Sequence, residues 1–166
     1  MPKLIKDKVI VDDSWTVLES TDTPESVDTE SEQIIVPLNV WQSQKEQLQA
    51  RKAEIGVWLD SHELADQLGD DAAGLALVAV NFPGFMDGRG FTAARLLRER
   101  YGFEGELRAI GGIIRDQLFF LQRCGFNSFA MNESIDLEAA LASFGDFSET
   151  YQAACDEKLP LFRRRA

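Results

Sequence analysis

The order of apolar and polar positions divides the chain into an irregular N-terminal part and a regular remainder. Leu4-Ile5 and Val9-Ile10-Val11 flank the charged turn Lys6-Asp7-Lys8, a pattern that predicts a small β-hairpin or an extended arm. Thr21 to Glu32 has almost no apolar content and contains Pro24, the composition of an exposed linker or mobile loop. Ile34-Ile35-Val36 restarts the structure. Val40 to Lys52, with Trp41, Gln44 and Leu48 and without Gly or Pro, predicts a helix. The expected organisation is an N-terminal hairpin or arm with an acidic linker over residues 1–33, followed by a single α/β domain over 34–166.

From Ile55 onward an apolar run, a turn rich in Gly or Asp and a helix-period stretch recur about four times, the signature of βα units around a mainly parallel sheet. The predicted strands are Ile55–Leu59, Leu75–Val80, Glu106–Ile110 and Ser128–Met131. The predicted helices are Ser61–Leu68, Gly90–Tyr101, Ile113–Arg123 and Leu137–Phe144. Gly69, Gly102, Gly125 and Gly145 fall where helix ends favour a residue tolerant of positive φ. Asp60 and Glu63 have the spacing of a capping box. Two architectures remain open: a doubly wound open sheet, or half of a (β/α)8 barrel, which would be predisposed to form a homodimer by pairing with a second copy. In both, ligands collect at the carboxyl ends of the strands.

Acids, arginines and glycines converge on those ends. Gly88-Arg89-Gly90 opens a helix, where glycine lets backbone amides approach an oxyanion and the helix dipole favours its charge. Gly111-Gly112 repeats the arrangement with Arg115 close behind, so Gly88, Arg89, Gly90, Gly111, Gly112 and Arg115 form the candidate anion site. The competing reading is that the glycines are tight turns and the arginines pair with Asp87 and Asp116. Asp60, Asp87 and Asp116 are the candidate general acids and bases, with helix capping and ion pairing as the alternative. His62, in the first turn of a predicted helix, reads as a surface residue.

Charge narrows the classes of function. Seventeen bases against 28 acids give a net charge of −11, which disfavours nucleic acid as a partner. Six acids and no base lie between Glu19 and Glu32, whereas Asp87 to Arg123 holds seven arginines against five acids. Leu159-Pro160-Leu161-Phe162 joined to Arg163-Arg164-Arg165 suggests a docking tail for an acidic surface or a frayed terminus. No apolar run approaches membrane-spanning length and no export signal opens the chain, so a cytoplasmic protein without membrane contact is expected. Cys124 and Cys155 are expected to be free thiols. One histidine and no ligand-spaced Cys or His pair predict neither a metal nor another cofactor.

The run Asp87-Gly88-Arg89-Gly90-Phe91-Thr92-Ala93-Ala94-Arg95-Leu96-Leu97-Arg98 is followed by Glu106-Leu107-Arg108-Ala109, Arg115-Asp116-Gln117-Leu118 and Gly125-Phe126-Asn127. Together they resemble a bacterial family of unknown function, domain family nine-three-four, and the likeness runs from about Ile34 to Arg165. Members are labelled oxidoreductases of sulfite reduction. The resemblance implies an accessory role in assimilatory sulfite or sulfate reduction, beside the sulfite reductase haemoprotein as partner. It supplies no catalytic residues. From the residues alone, a small enzyme acting on an anionic substrate and a structural or oligomerisation module remain alternatives.

Overall fold

The computed structural model describes residues 2–84, 87–145, 154–155, 158–160 and 163. Among them the chain forms eight strands and six α-helices. The strands are β1 (Lys3–Lys6), β2 (Val9–Asp12), β3 (Thr16–Val17), β4 (Ile34–Pro37), β5 (Ile55–Leu59), β6 (Leu77–Phe82), β7 (Glu106–Gly111) and β8 (Ser128–Phe129). The helices are α1 (Leu38–Ser43), α2 (Lys45–Gln49), α3 (Ala65–Leu68), α4 (Arg89–Glu99), α5 (Leu118–Arg123) and α6 (Leu137–Ala142). The helix expected from Val40 to Lys52 is broken at Gln44, and the one expected from Ser61 is helical only from Ala65. The one expected from Ile113 begins with a 3-10 turn at Arg115–Gln117. Leu75–Val80 is displaced to Leu77–Phe82 because its ladder with β7 runs from Leu77 opposite Glu106 to Phe82 opposite Gly111.

All strands belong to one sheet, in the order β2-β1-β8-β7-β6-β5-β4-β3. From β3 to β8 neighbours are parallel, while β1 is antiparallel to both β8 and β2, which confirms the N-terminal hairpin. Each βα unit places its strand beside the one before it, without the reversal of direction that a doubly wound sheet requires. Right-handed crossovers in one direction put their helices on one face, so the barrel-like alternative is the one adopted.

The N-terminal connection shows how far the sheet curls. β2 and β3 lie at opposite ends of the strand order, yet only Asp13, Ser14 and Trp15 separate them. Four Cα steps span at most about 15 Å. A flat sheet of this order would hold its outer strands about 34 Å apart at about 4.8 Å per neighbour. The sheet therefore rolls up until its edges approach. Residues 9–18 act as one extended stave: Asp13 N–H still bonds Pro2 O beside β1 (2.8 Å), and Thr16 N–H and Leu18 N–H bond Gln33 O and Ile35 O on the β4 side (3.0 and 2.9 Å). The curl thus uses the chain's own N-terminus.

Alternation along the strands separates two interiors. Ile34, Val36, Val57, Val78, Val80, Leu107 and Ala109 face the helices in the main core. Ile35, Leu77 and Ala79 face the inside of the curl and meet Trp15, Trp58 and Ile110. The first two inward positions of β7 are Glu106 and Arg108, which are 7% and 2% exposed. Arg108 binds Glu106 Oε1 (Nη2, 2.8 Å) and both Asp13 oxygens (Nη1, 3.1 Å each), and Lys6 Nζ closes the network on Glu106 Oε2 at 2.7 Å. Two cations meet two carboxylates, which is how charges survive burial.

The acidic segment 21–32, which composition presents as a loose linker, is tied along α1 and α2. Gln44 Nε2 donates to Pro24 O and Val27 O (2.8 and 2.9 Å), Asn39 Nδ2 to Thr21 O (2.7 Å), and Arg51 Nη1 to Thr29 O (2.7 Å). Polar side chains on and beside the two following helices satisfy its backbone, a contact that no apolar pattern announces. Most of the arginine-rich ending lies outside the described residues. Among the described residues no helix is long and apolar enough to cross a membrane.

Candidate functional site

The inward parity of β5 and β6 builds the site. Asp60 follows Trp58 by two residues and Asn81 follows Ala79 by two, so both stand over the inside of the curl at its carboxyl rim. Asn81 Nδ2 donates to Asp60 Oδ1 at 3.0 Å, and Ser61 N–H donates to the same oxygen at 2.8 Å. The other oxygen, Oδ2, faces His62 Nδ1 at 3.8 Å, beyond hydrogen-bond reach, and the His62 side chain is 70% exposed. Glu63 Oε2 accepts the Asp60 N–H at 2.7 Å, one half of the expected capping box. The Asp60 carboxylate turns to Ser61 rather than completing the other half.

Gly111 explains how Asn81 reaches Asp60. A Cβ on Gly111 would overlap Asn81 Oδ1 and come within 2.6 Å of Phe82 O, and the residue has φ +90°. Gly112 N–H donates to Phe82 O at 2.6 Å, which commits that amide to the fold. Gly90 is a packing glycine: a Cβ there would stand 2.6 Å from the Phe82 ring and 2.9 Å from Val80, so its absence sets how closely α4 approaches β6. Gly88 is the residue before α4, with nothing nearer than Phe91 Cδ2 at 3.7 Å from the place of a Cβ.

Arg89 spans two loops. Its Nε and Nη2 form a fork on Asp87 (3.0 and 2.7 Å), and Nη2 also donates to Ser61 Oγ at 3.0 Å. The guanidinium and then the backbone N–H of Arg89 hold the Asp87 carboxyl at about 2, well below the usual carboxylate range. Asp60 and Asp87 are thus linked through Ser61 and Arg89. Arg115 and Asp116 are exposed on the 3-10 turn after β7. Neither makes an ion pair among the described residues, and Asp116 has no hydrogen bond to the Asp60–Arg89 network there.

Ser61 and Asn81 are the members that motif reading passes over. Asn81 left a signal, as a polar residue at an inward position of an otherwise apolar strand. Among the described residues no group of three or more His, Cys, Asp or Glu side chains has the arrangement of a metal site. Cys124 is buried, and Cys155 lies at the opposite rim with its thiol pKa pushed up by burial and then by the Glu99 charge, the reverse of an activated thiolate.

Fold and site together define a class: an α/β protein with a curled, singly wound sheet and a hydrogen-bonded polar network where its strands end. The chain belongs to the family described as bacterial protein of unknown function (DUF934), whose model matches residues 56–162. The matched region begins within β5 and takes in Asp60, Asn81, Asp87, Arg89, Gly111 and Arg115. No curated protein matches the chain.

Proposed function

We propose that the protein is an accessory component of assimilatory sulfite reduction that binds a small oxyanion at the carboxyl ends of β5, β6 and β7. The pathway is the one that the family resemblance implies. The observation that carries the site reading is the Asp60 carboxylate, fixed through one oxygen by Asn81 and Ser61 while the other stands at the rim, 3.8 Å from His62 Nδ1. This arrangement supports an oxyanion that brings a proton with it. Arg115 supplies counter-charge, and Asp60 Oδ2 accepts a hydrogen bond from the ligand's O–H. Arg89 holds the β5 and β6 loops together and joins the clamp by exchanging Asp87 for the ligand. The same groups would serve a small enzyme acting on an anionic substrate.

The test is a thermal-shift series with sulfite, sulfate and phosphate at matched ionic strength, since a ligand specific to the native state raises the melting temperature. One of these anions is expected to raise it selectively. Arg115→Ala should weaken binding by about 1.5–3 kcal/mol, the range of charge-assisted hydrogen bonds. No shift with any of the three, or unchanged affinity in both Arg89→Ala and Arg115→Ala, overturns the oxyanion reading.

Docking on the sulfite reductase haemoprotein is the second reading, favoured by Phe120. Its ring is 55% exposed on α5 and packed at 5.0 Å against Phe91. Co-purification with the haemoprotein that Phe120→Ser abolishes would support docking; co-purification indifferent to that change removes Phe120 from the surface.

A further inference from the structure

The inside of the curl is packed toward one end and open toward the other. Near the amino ends its own side chains fill the space. Ile35, Leu77 and Ala79 are fully buried, Glu106 and Arg108 nearly so, and a Cβ at the inward Gly56 would stand 3.0 Å from Ile35 Cγ1. The next inward positions along β5, β6 and β7 are Trp58, Asn81 and Ile110, and all three are partly exposed. Side chains that point into a rolled sheet keep solvent contact only where its interior is unfilled. The recess they outline lies beneath Asp60, which follows Trp58 by two residues on the same side, so it opens into the strand-end site.

The surfaces of the recess have a definite chemistry. The Trp58 indole is held in place, because its Nε1 donates to Leu18 O at 2.9 Å across β4. Trp15 reaches the same apolar cluster from the stave. Among the described residues neither ring has an aromatic or cationic neighbour, so the exposed part of each is open to a stacking partner. Asn81 Nδ2 is taken by Asp60 Oδ1, whereas Asn81 Oδ1 accepts no hydrogen bond among the described residues and is not enclosed. An open amide oxygen calls for an N–H or O–H donor. We propose that the recess takes a planar nitrogen heterocycle bearing an amino group, stacked on Trp58 and donating an amino N–H to Asn81 Oδ1. The ring is joined to the oxyanion at the rim, the make-up of a nucleoside monophosphate. This assignment rests on the oxyanion reading and adds to it the body that carries the anion.

The indole N–H resonances of the full chain read the recess directly, and Trp41, fully buried in the main core, is the internal control. Titration with adenosine monophosphate at constant ionic strength is expected to move the Trp58 signal to saturation and to leave Trp41 in place. Ribose 5-phosphate, which lacks the heterocycle, and inosine monophosphate, which presents a carbonyl in place of the amino group, should each bind at least tenfold more weakly. Trp58→Leu should lower the affinity for adenosine monophosphate, followed at the Asp60 and Ser61 amides, to that for ribose 5-phosphate. The ligand series needs no variant, so the outcome does not depend on how Trp58→Leu folds. Equal affinity for ribose 5-phosphate and adenosine monophosphate overturns the ring subsite and leaves the oxyanion reading standing. Equal affinity for inosine monophosphate, or saturation of the Asp60 and Ser61 amides with Trp58 unmoved, also overturns the subsite. Adenosine binding as tightly as its monophosphate supports the ring subsite and overturns the oxyanion reading, and no binding by any of the four overturns both.

Discussion

Replacing Asp13 by Ala removes the carboxylate that fixes the closing stave to the inside of the curl. Arg108 is 2% exposed and gives its Nη1 to both Asp13 oxygens at 3.1 Å, while Nε and Nη2 remain on Glu106. Breaking a buried pair from one side costs about 3–5 kcal/mol because the other charge stays buried. Glu106 still holds half of the guanidinium and Asp13 is 13% exposed, so the loss belongs at the lower end, about 3 kcal/mol. With a urea dependence of about 2 kcal/mol per molar, the unfolding midpoint should fall by about 1.5 M. Asp13→Asn keeps an acceptor and should cost about 1–2 kcal/mol. Urea unfolding followed by circular dichroism measures both, and hydrogen exchange should show the amides of Thr16 and Leu18 losing protection first. A midpoint displaced by less than about 0.3 M, at that same urea dependence, or unchanged exchange at Thr16 and Leu18, would refute the argument that this ion pair holds the stave.

Glu106 should give the protein an acid-sensitive term. Burial pushes its pKa up, but the Lys6 hydrogen bond and the Arg108 charge together lower it further, so the folded value lies below the unfolded one. Its contribution is complete above the ordinary carboxylate value of about 4.3 and is lost as pH falls through the depressed folded value. Glu106→Gln should therefore lose less stability between pH 7 and pH 3 than the wild type; an equally steep acid limb would contradict this. Gly111→Ala should cost about 1–3 kcal/mol from φ alone and displace Asn81 from Asp60; an unshifted Asn81 side-chain amide resonance would show that the glycine is not what admits the contact. Cys155 should be alkylated by iodoacetamide at pH 8 more slowly than free cysteine, and an equal rate would contradict its raised pKa.

Local pattern and composition were enough for the βα rhythm, the N-terminal hairpin and the rim on which acids and arginines gather. Ile55–Leu59 is a strand at its expected bounds because period and chain direction are local properties. Gly69, Gly102 and Gly125 have positive φ for the same reason, since that requirement belongs to the backbone at each turn. What the rim residues do with one another was not legible. Asp87 and Arg89, two positions apart, pair as their spacing allows, but Arg89 also reaches Ser61, 28 positions away, and Asp60 is held by Asn81, 21 positions away. Those contacts exist only once β5 and β6 lie side by side in register.

The choice between an open sheet and a curled one was likewise tertiary. Four βα units fit either, and nothing in an apolar run states which neighbour its strand will take. Three residues between β2 and β3 became informative only when pairing set those strands on opposite edges, because chain length then forbids a flat sheet. Sequence by itself determined the elements and the chemistry available to them, since both follow from side-chain type and spacing. Tertiary structure decided which charges are buried, which glycines are needed for close approach and which carboxylates Arg108 meets, because each depends on groups brought together from distant positions.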